Sequence, residues 1–283
     1  MAAIWSAPAK LNLMLHIVGR RADGYHELQT VFQLLDLCDS LEIAVRDDGR
    51  VVRTRGPESV PEAQDLTVRA ALALKAATGT PLGADIAVTK RIPMGGGLGG
   101  GSSDAATTLL ALNQMWQTGL SSAQIAAIGV TLGADVPVFV HGRSAWAEGV
   151  GERLEPVSLP ENSWFLVIFP GIHVPTVDVF QAPELTRNSP LTTMRGFLEL
   201  GGRNDCEAVV RARFPAVGEA LDWLARYAPA RLTGTGSCVF AKFARAQDAE
   251  RVAARVPDTW RAWVAQGVNQ SPLLDELGRC SKS

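Results

Sequence analysis

The chain has 283 residues, 47% of them hydrophobic, which is enough for one large domain or two ordinary ones with a real core. Its net charge of −2 excludes a global electrostatic attraction to nucleic acid or to acidic membranes. No apolar run reaches the ~18 residues of a membrane span, and the first residues lack the cleavage site of a signal peptide. We therefore expect a cytoplasmic enzyme with no nucleic-acid partner, no membrane association and no evident obligate protein partner.

The cysteines and histidines show no metal-binding spacing. Cys38, Cys206, Cys238 and Cys280 form no Cys-x-x-Cys pair, so we expect reduced thiols rather than a disulfide framework or a zinc site. The four histidines are equally scattered. The sequence therefore identifies no metal ligands, and the metal site stays unknown.

The amino-terminal half begins with an alternating pattern at 10–17, which predicts a strand. Alternation places Lys10, Asn12 and His16 together on the face opposite an apolar stripe. Three polar groups in register suggest one wall of a site, although Lys10 alone could be an edge lysine that reaches water. The other elements predicted in this half are strands at 31–37, 40–46 and 84–89 and helices at 64–78 and 121–132.

The stretch 92–104 is the most informative segment of the chain. It holds six glycines in seven positions, follows a predicted strand and leads into a helix. We expect Ser102 or Ser103 to cap that helix, Asp104 to lie in its first turn, and its apolar face to be buried. Backbone N–H groups at a helix N-terminus bind anions, so a phosphate is the expected ligand, with a flexible linker as the alternative.

The glycine pattern does not match three common nucleotide loops. Gly95, Gly97 and Gly100 satisfy G-x-G-x-x-G, but no acidic residue lies in 105–134 to hold a dinucleotide ribose. The P-loop requires a lysine that this loop lacks. The His-Arg-Asp and Asp-Phe-Gly tripeptides of protein kinases do not occur. The segment is therefore a phosphate loop of some other family.

The carboxyl-terminal half begins where the pattern loosens, around 142–160. We place a boundary there and predict two domains, residues 1–150 and 151–283. Frayed ends are expected at 278–283. Strands and helices mix without strict alternation, which favours a two-lobed α+β fold. The elements predicted in this half are strands at 164–169, 238–243 and 260–264 and helices at 177–180, 204–214, 215–227 and 247–256.

Three further segments carry candidate chemistry. Asp135 lies among apolar residues, which predicts a helix N-cap ahead of Pro137 or a general base beside a cation, two compatible roles. Tyr25 and His26 follow a turn and either are half-buried rings or form a stacking face and a hydrogen-bonding edge for a planar ligand. The stretch 234–237 is either a plain turn or a second anion-contacting loop.

Segments 8–13, 93–103 and 233–237 resemble the three ordered motifs of the GHMP small-molecule kinases, and the likeness extends from Ala7 to about Pro272. Segments 19–26 and 131–137 are similar to the branch of that family that acts on 4-diphosphocytidyl-2-C-methyl-D-erythritol in the non-mevalonate isoprenoid pathway. The resemblance implies a two-lobed α+β fold with the active site in the cleft between the lobes. It also implies transfer of the ATP γ-phosphoryl group to the C2 hydroxyl of that substrate.

The resemblance assigns catalytic and nucleotide-binding roles. It makes Asp135 the base that takes the hydroxyl proton, with Lys10 as its partner, and places Lys90 near the adenine. Mg²⁺ is expected to arrive on ATP, with Ser102 or Ser103 as the nearby ligands. Besides Lys90, the residues implied to bind ATP are Pro93, Met94, Gly95, Gly96, Gly97, Leu98, Gly99, Gly100, Gly101, Ser102, Ser103 and Asp104.

The resemblance also assigns the acceptor site. Tyr25 and Phe180 would sandwich a cytosine, and His26 would read its edge. Asn12 and Thr176 would contact the sugar-alcohol end or its phosphates. An aliphatic acceptor such as mevalonate or homoserine has no use for such a sandwich, which weighs against those GHMP kinases. The rivals from other classes are a dinucleotide-dependent oxidoreductase and a non-catalytic nucleotide-binding module.

Overall fold

The computed structural model describes residues 2–280. Strands and helices within this range mix without strict alternation, which confirms the α+β prediction. The strands are β1 (Ala3–Arg20), β2 (His26–Arg46), β3 (Val51–Arg55), β4 (Gly83–Thr89), β5 (Ala145–Gly149), β6 (Arg153–Pro156), β7 (Trp164–Phe169), β8 (Ala230–Leu232), β9 (Val239–Phe243) and β10 (Arg261–Val268). The helices are α1 (Leu66–Thr78), α2 (Gly100–Met115), α3 (Ser122–Val130), α4 (Val136–His141), α5 (Thr176–Phe180), α6 (Met194–Leu200), α7 (Glu207–Arg213), α8 (Pro215–Ala225), α9 (Ala246–Ala253) and α10 (Pro272–Cys280).

The strands form one connected sheet in the order β3-β4-β2-β10-β7-β9-β8, with β1 and β5 also paired to β2. The link between its two halves is short: Gly267 and Val268 of β10 pair with Leu35 and Leu34 of β2. Pairing is antiparallel except between β3 and β4. This narrow junction lies beside β1, so residues on β1 are positioned between the two halves of the sheet.

Two large apolar cores lie on either side of this junction. One is built around α2 and α4 and includes Trp5 and Phe139, together with Leu273 from the carboxyl-terminal α10. The other packs α7 and α8 against β7 and β9. The β5–β6 hairpin spans the predicted boundary near residue 150. The division into 1–150 and 151–283 stays a proposal.

The long strand β1 corrects one prediction from alternation. Its pairing with β2 shifts register between Asn12 and Met14. A bulge inserts an extra residue and reverses the alternation beyond it. Leu15 rather than His16 therefore lies in the cavity with Lys10 and Asn12. The prediction that His16 shares their face is wrong.

Helix α2 begins earlier than predicted. Its N-cap is Gly99, in the left-handed region with φ +73°, and neither Ser102 nor Ser103 caps it. Glycine adopts this backbone conformation without steric cost. Because the helix starts at Gly100, Asp104 lies beyond its first turn and is buried. The expected apolar face of this helix is confirmed, since Ala105, Leu109, Leu112 and Trp116 are buried.

Several elements lacked a recognisable pattern. The strands at 31–37 and 40–46 are one strand, β2, and the elements β3, β5, β6, β8, α6 and α10 were not predicted. Helix α10 reaches Cys280, so Gly278–Cys280 is helical rather than frayed, while 281–283 lie outside the described residues. Within residues 2–280, none of the helices has the length and apolar character to cross a bilayer.

Candidate active site

Two adjoining cavities occupy the junction beside β1. The first, of about 420 Å³, is lined by the glycine loop and by residues of α1 and β4. The second, of about 290 Å³, is lined by β1, β2 and the segments around Asp135, Phe180 and Thr235. Gly97 and Ser102 line both cavities. Two ligands bound side by side would therefore meet at these two residues.

Hydrogen bonds from distant segments anchor the glycine loop. The backbone N–H of Lys10 donates to the Leu98 carbonyl at 3.0 Å, and that of Cys238 donates to the Gly96 carbonyl at 3.1 Å. The Thr233 hydroxyl donates to the Gly97 carbonyl at 3.2 Å. Thr233 and Cys238, on either side of the stretch 234–237, thus hold the glycine loop in place, and the loop is not a free linker.

Gly97 is required by both its conformation and its surroundings. Its φ is +75°, and a Cβ at this position would lie 2.3 Å from the carbonyl oxygen of Thr233. No side chain fits without moving the backbone of one of the two loops. The close approach leaves the loop's main chain bare on the cavity side, as a phosphate cradle requires.

The amino-terminal end of α2 opens onto this cradle. The first N–H groups of a helix have no intrahelical acceptor, and the helix dipole adds positive potential there. The first bond within this helix region is from the Ser103 N–H to the Gly99 carbonyl, at 2.8 Å. The N–H groups of residues 100–102, in the first turn of α2, have no acceptor within the helix and are available to an anion. This is consistent with the predicted phosphate site.

Lys10 and Asp135 meet at the junction of the cavities. The Lys10 Nζ lies 3.2 Å from Asp135 Oδ2 and donates to Asn12 Oδ1 at 2.6 Å and to the Gly97 carbonyl at 3.1 Å. The ammonium is buried, whereas the side chain of Asp135 is 33% exposed. Asp135 occupies the N-cap position of α4, but its side chain caps no N–H group. Its carboxylate faces the lysine and the cavity instead.

Polar contacts fix the remaining predicted residues of the second cavity. Asn12 donates from its backbone N–H to the Thr233 hydroxyl at 3.0 Å and from Nδ2 to the Thr30 hydroxyl at 2.9 Å. The hydroxyls of Thr176 and Thr235 are 2.9 Å apart. These bonds draw β1, α5 and the 234–237 loop together around one space.

A buried ion cluster forms one wall of the first cavity. The Lys90 Nζ donates to Asp39 Oδ2 at 2.5 Å and to Asp104 Oδ2 at 2.6 Å. Burial raises the pKa of Asp104 to about 7, an effect that the Lys90 ammonium opposes. Burial alone would lower the pKa of Lys90, but Asp104 and Asp39 raise it. Lys90 is thus held beside the predicted nucleotide site by two carboxylates.

The predicted cytosine site differs in detail from the expected sandwich. The His26 ring stacks on Phe180, with centroids 5.1 Å apart, and Nε2 of His26 accepts from Arg187 Nε at 3.1 Å. Tyr25 is 65% exposed and lies outside the lining of both cavities. One face of Phe180 is therefore covered by His26, and the ring of Tyr25 would have to approach from solvent.

Asp39 and Arg187 were missed by the sequence reasoning. Asp39 Oδ1 accepts from the backbone N–H groups of Arg91 and Ile92, at 2.5 and 2.9 Å, so it joins β2 to the start of the glycine loop. The sequence signal that could have revealed Asp39 is a carboxylate between two apolar strand segments. Arg187 has no such signal, because its partners are distant in the chain or are backbone carbonyls.

The first cavity exposes main chain at a helix N-terminus and meets the second cavity at two shared residues, with the Lys10–Asp135 pair beside them. This arrangement fits a small-molecule kinase. Two family models match the chain: the GHMP kinases N terminal domain over residues 65–143 and the GHMP kinases C terminal domain over residues 184–262. The chain belongs to the GHMP kinase family. It is a small-molecule kinase, and ATP is its phosphoryl donor.

Similar proteins indicate which branch of the GHMP kinase family this chain resembles. The chain is 58% identical over 273 residues to the 4-diphosphocytidyl-2-C-methyl-D-erythritol kinase of Alkalilimnicola ehrlichii, covering 96% of this chain and 94% of that one. It is 56% identical over 283 residues to the enzyme of the same name from Halorhodospira halophila, covering 99% and 98%. A crystal structure of a 4-(cytidine 5'-diphospho)-2C-methyl-D-erythritol kinase matches with a TM-score of 0.82 at 37% identity, covering 95% of this chain and 100% of that one.

More distant structures share the fold alone. A crystal structure of mevalonate kinase matches with a TM-score of 0.71 at 14% identity, covering 95% of this chain and 100% of that one. An identity this low supports a shared architecture but does not indicate which acceptor this chain phosphorylates. The two-lobed GHMP kinase fold expected from the sequence is confirmed.

Proposed function

We propose that this kinase transfers the γ-phosphoryl group of ATP to the C2 hydroxyl of 4-diphosphocytidyl-2-C-methyl-D-erythritol, a step of the non-mevalonate isoprenoid pathway. One observation carries the proposal: the cradle cavity and the second cavity meet at Gly97 and Ser102, next to the Lys10–Asp135 pair. Phosphoryl transfer depends on positioning and charge stabilisation more than on covalent chemistry, and this junction offers both.

The nucleotide would occupy the first cavity. The free N–H groups at the start of α2 and the main chain of residues Pro93–Ser103 would hold its phosphates. Lys90 and Asp104, which line the same cavity, would lie beside the base. The terminal phosphate would lie near Gly97 and Ser102, at the junction with the second cavity.

The chemical step would use the Lys10–Asp135 pair. The acceptor oxygen forms a bond to the γ-phosphorus while the bond between that phosphorus and the β–γ bridging oxygen breaks, which releases ADP. Asp135 takes the proton that the acceptor hydroxyl loses. The Lys10 ammonium, already bonded to the Gly97 carbonyl, offsets negative charge that develops on the phosphate oxygens.

The second cavity would bind the acceptor. Asn12 and Thr176 would contact the sugar alcohol and its phosphates, since both side chains line this cavity. Tyr25 and Phe180 would hold the cytosine, with His26 at its edge. The stack of His26 on Phe180 supports a preorganised aromatic wall on one side of that base.

Mg²⁺ is proposed to accompany ATP. Among residues 2–280 no cluster of three His, Cys, Asp or Glu side chains could hold a metal alone. Mg²⁺ commonly binds through one or two protein oxygens together with substrate phosphates, and the donors at the junction fit that mode. Ser102 would hold it together with the phosphates of ATP, and when bound it would neutralise phosphate charge.

We also propose that the enzyme works in the cytoplasm, without a nucleic-acid or obligate protein partner. The free thiols of Cys38, Cys206 and Cys238 support a reducing compartment. Two of them, Cys206 and Cys238, are fully buried, and burial raises the pKa of the Cys206 thiol to about 12. Such thiols are inert structural groups.

The direct test is ADP release in a coupled assay with three acceptors under identical conditions: the cytidylyl substrate, mevalonate and homoserine. We expect turnover with the cytidylyl substrate alone. The aliphatic acceptors would leave the wall of Phe180 and His26 without a partner. Preferential turnover of mevalonate or homoserine would contradict the proposal and favour another member of the family.

A further inference from the structure

A third cavity, of about 770 Å³, is separate from the two that meet beside the Lys10–Asp135 pair. Among residues 2–280, it shares no lining residue with either of them. Leu13 of β1 lines this cavity, whereas the adjacent Asn12 lines the acceptor cavity, so β1 separates the two. Its volume is typical of small-molecule sites, roughly 300–1,000 Å³. The positions proposed for ATP and for the acceptor leave this cavity free.

Aromatic side chains supply much of the cavity lining. The rings of Phe165 and Phe240 are largely buried and pack edge to face, with centroids 6.0 Å apart. Phe197 and Leu198 of α6 also line the cavity, and Leu198 is 58% exposed. Removal of apolar surface from water is favourable. The lining can therefore hold the apolar part of a small molecule.

Two cations in the same lining have no carboxylate partner. The half-buried Arg231 guanidinium donates from Nη1 to the Leu13 carbonyl at 2.9 Å and forms no ion pair within residues 2–280. Over the same described range, the exposed Lys242 ammonium forms neither a hydrogen bond nor an ion pair. Burial lowers the pKa of Arg231, an effect that the Glu207 charge opposes. Glu161 also lines the cavity, but two cations against one carboxylate leave the lining net positive.

We propose that this third cavity is a binding site for an amphiphilic anion, a molecule with an apolar body and one carboxylate or phosphate group. The apolar body would lie against Phe165 and Phe240, and the anionic group would accept from Arg231 and Lys242. A guanidinium presents its donors in a fork that matches both kinds of anion. Its Nη2 is accessible because Gly201 lacks a Cβ, which would lie 3.2 Å away. The site does not depend on which acceptor the kinase phosphorylates.

Binding is measured by calorimetry on the full chain saturated with a non-hydrolysable ATP analogue, which keeps the probes out of the glycine loop. The anionic probes are 4-phenylbutyrate and 4-phenylbutyl phosphate, and 4-phenyl-1-butanol is their neutral match. We expect the anions to bind at least about tenfold more tightly than the alcohol, the effect of one charge-assisted hydrogen bond. Binding of one anion alone would identify the preferred head group. Equal affinity for the alcohol, or no binding of either anion, would overturn the proposal.

Charge-removing variants test the two cations. We expect Arg231→Met to weaken binding of the anions by about tenfold and to leave the affinity for the alcohol unchanged. Because Arg231 also binds the Leu13 carbonyl, Lys242→Met at an exposed position is the second variant, with the same expected direction. Arg255→Met is the matched control, since Arg255 is exposed and lies outside the lining. Wild-type affinity in both Arg231→Met and Lys242→Met would overturn the proposal.

Methyl NMR spectra show which cavity the anion occupies. We expect 4-phenylbutyrate to shift the methyl signals of Leu159 and Leu198, which line the third cavity and are assigned with Leu159→Met and Leu198→Met. Shifts confined to Leu15 and Leu28 would place the anion in the acceptor cavity and overturn the proposal. A Leu198 signal that moves with protein concentration alone would assign this face to contact between copies of the chain, which would also overturn it. ADP release tests the kinase activity separately from all of these results.

Discussion

The Lys10 ammonium lies 3.2 Å from the Asp135 carboxylate, and it also binds the carbonyl of Gly97 in the phosphate loop. One buried cation therefore joins the proposed base to the proposed phosphate site. Lys10 lies on β1 and Asp135 at the N-cap of the short helix α4, so the contact joins distant parts of the chain.

The first prediction concerns the proposed base. Asp135→Asn keeps the size of the side chain but removes its ability to take a proton, so we expect kcat to fall roughly 10²–10⁴-fold. KM for ATP should change little, because the phosphate cradle is intact. Steady-state kinetics with the cytidylyl substrate measure both constants. Turnover within about tenfold of wild type would show that Asp135 is not the base.

A second prediction tests the cradle. In Gly97→Ala the new Cβ would meet the Thr233 carbonyl at 2.3 Å, so the two loops must separate. Gly119→Ala is the matched control, since Gly119 has a similar φ of +70° and no atom within 4 Å of a new Cβ. Both changes cost about 1–2 kcal/mol for the left-handed backbone.

Only Gly97→Ala should also raise KM for ATP. We expect an increase of tenfold or more, and each factor of ten corresponds to about 1.4 kcal/mol of binding free energy. Urea unfolding and ATP titration of the two variants measure stability and binding separately. Equal behaviour of the two variants in both measurements would remove the steric argument for this loop.

The third prediction is a pH dependence of stability. The Asp104 pKa is raised to about 7 in the folded protein, against about 3.9 in the unfolded chain. The stabilisation from its protonated form is therefore complete below about pH 4 and is lost as the pH rises toward 7. Asp104→Asn lacks this titration while its amide oxygen can still accept from Lys90.

The measured quantity is the unfolding free energy of wild type minus that of Asp104→Asn. We expect this difference to fall by roughly 1–4 kcal/mol between pH 4 and pH 7, at about 1.4 kcal/mol per unit of pKa shift. A flat difference would mean that the buried carboxyl of Asp104 titrates alike in the folded and unfolded states.

The fourth prediction concerns Tyr25. Its side chain is 65% exposed, so Tyr25→Ala should leave the melting temperature nearly unchanged. If the ring closes on the cytosine, KM for the cytidylyl substrate should rise about tenfold, since stacking on one aromatic face contributes ~1–3 kcal/mol per base. KM for ATP serves as the internal control. Parallel increases in both KM values would argue against a stacking role.

Local signals in the sequence were reliable where one physical cause dominated. The run 164–169 is a buried strand with the predicted bounds. The helix at 122–130 begins at the Ser121 capping box, and α1 ends at Gly79 in the left-handed conformation. The glycine loop was also recognisable, because Gly95, Gly97 and Gly99 have left-handed backbone and leave less than 3 Å for a Cβ.

The failures have tertiary causes. The predicted strands at 31–37 and 40–46 left out Asp39, but β2 continues through it, where it pairs with Lys90 and with two backbone N–H groups. His16 was misplaced because a bulge reverses the alternation of β1. The covering of Phe180 by His26 depends on Arg187, a partner that no periodicity reveals.

The most direct measurement of the central claim is a crystal structure with a non-hydrolysable ATP analogue and the cytidylyl substrate bound together. We predict that the triphosphate lies on the main chain of 95–101 and points to the junction at Gly97 and Ser102. The acceptor hydroxyl should lie within hydrogen-bonding distance of Asp135, about 2.6–3.2 Å. A triphosphate bound elsewhere, or an acceptor hydroxyl out of reach of Asp135, would contradict the account.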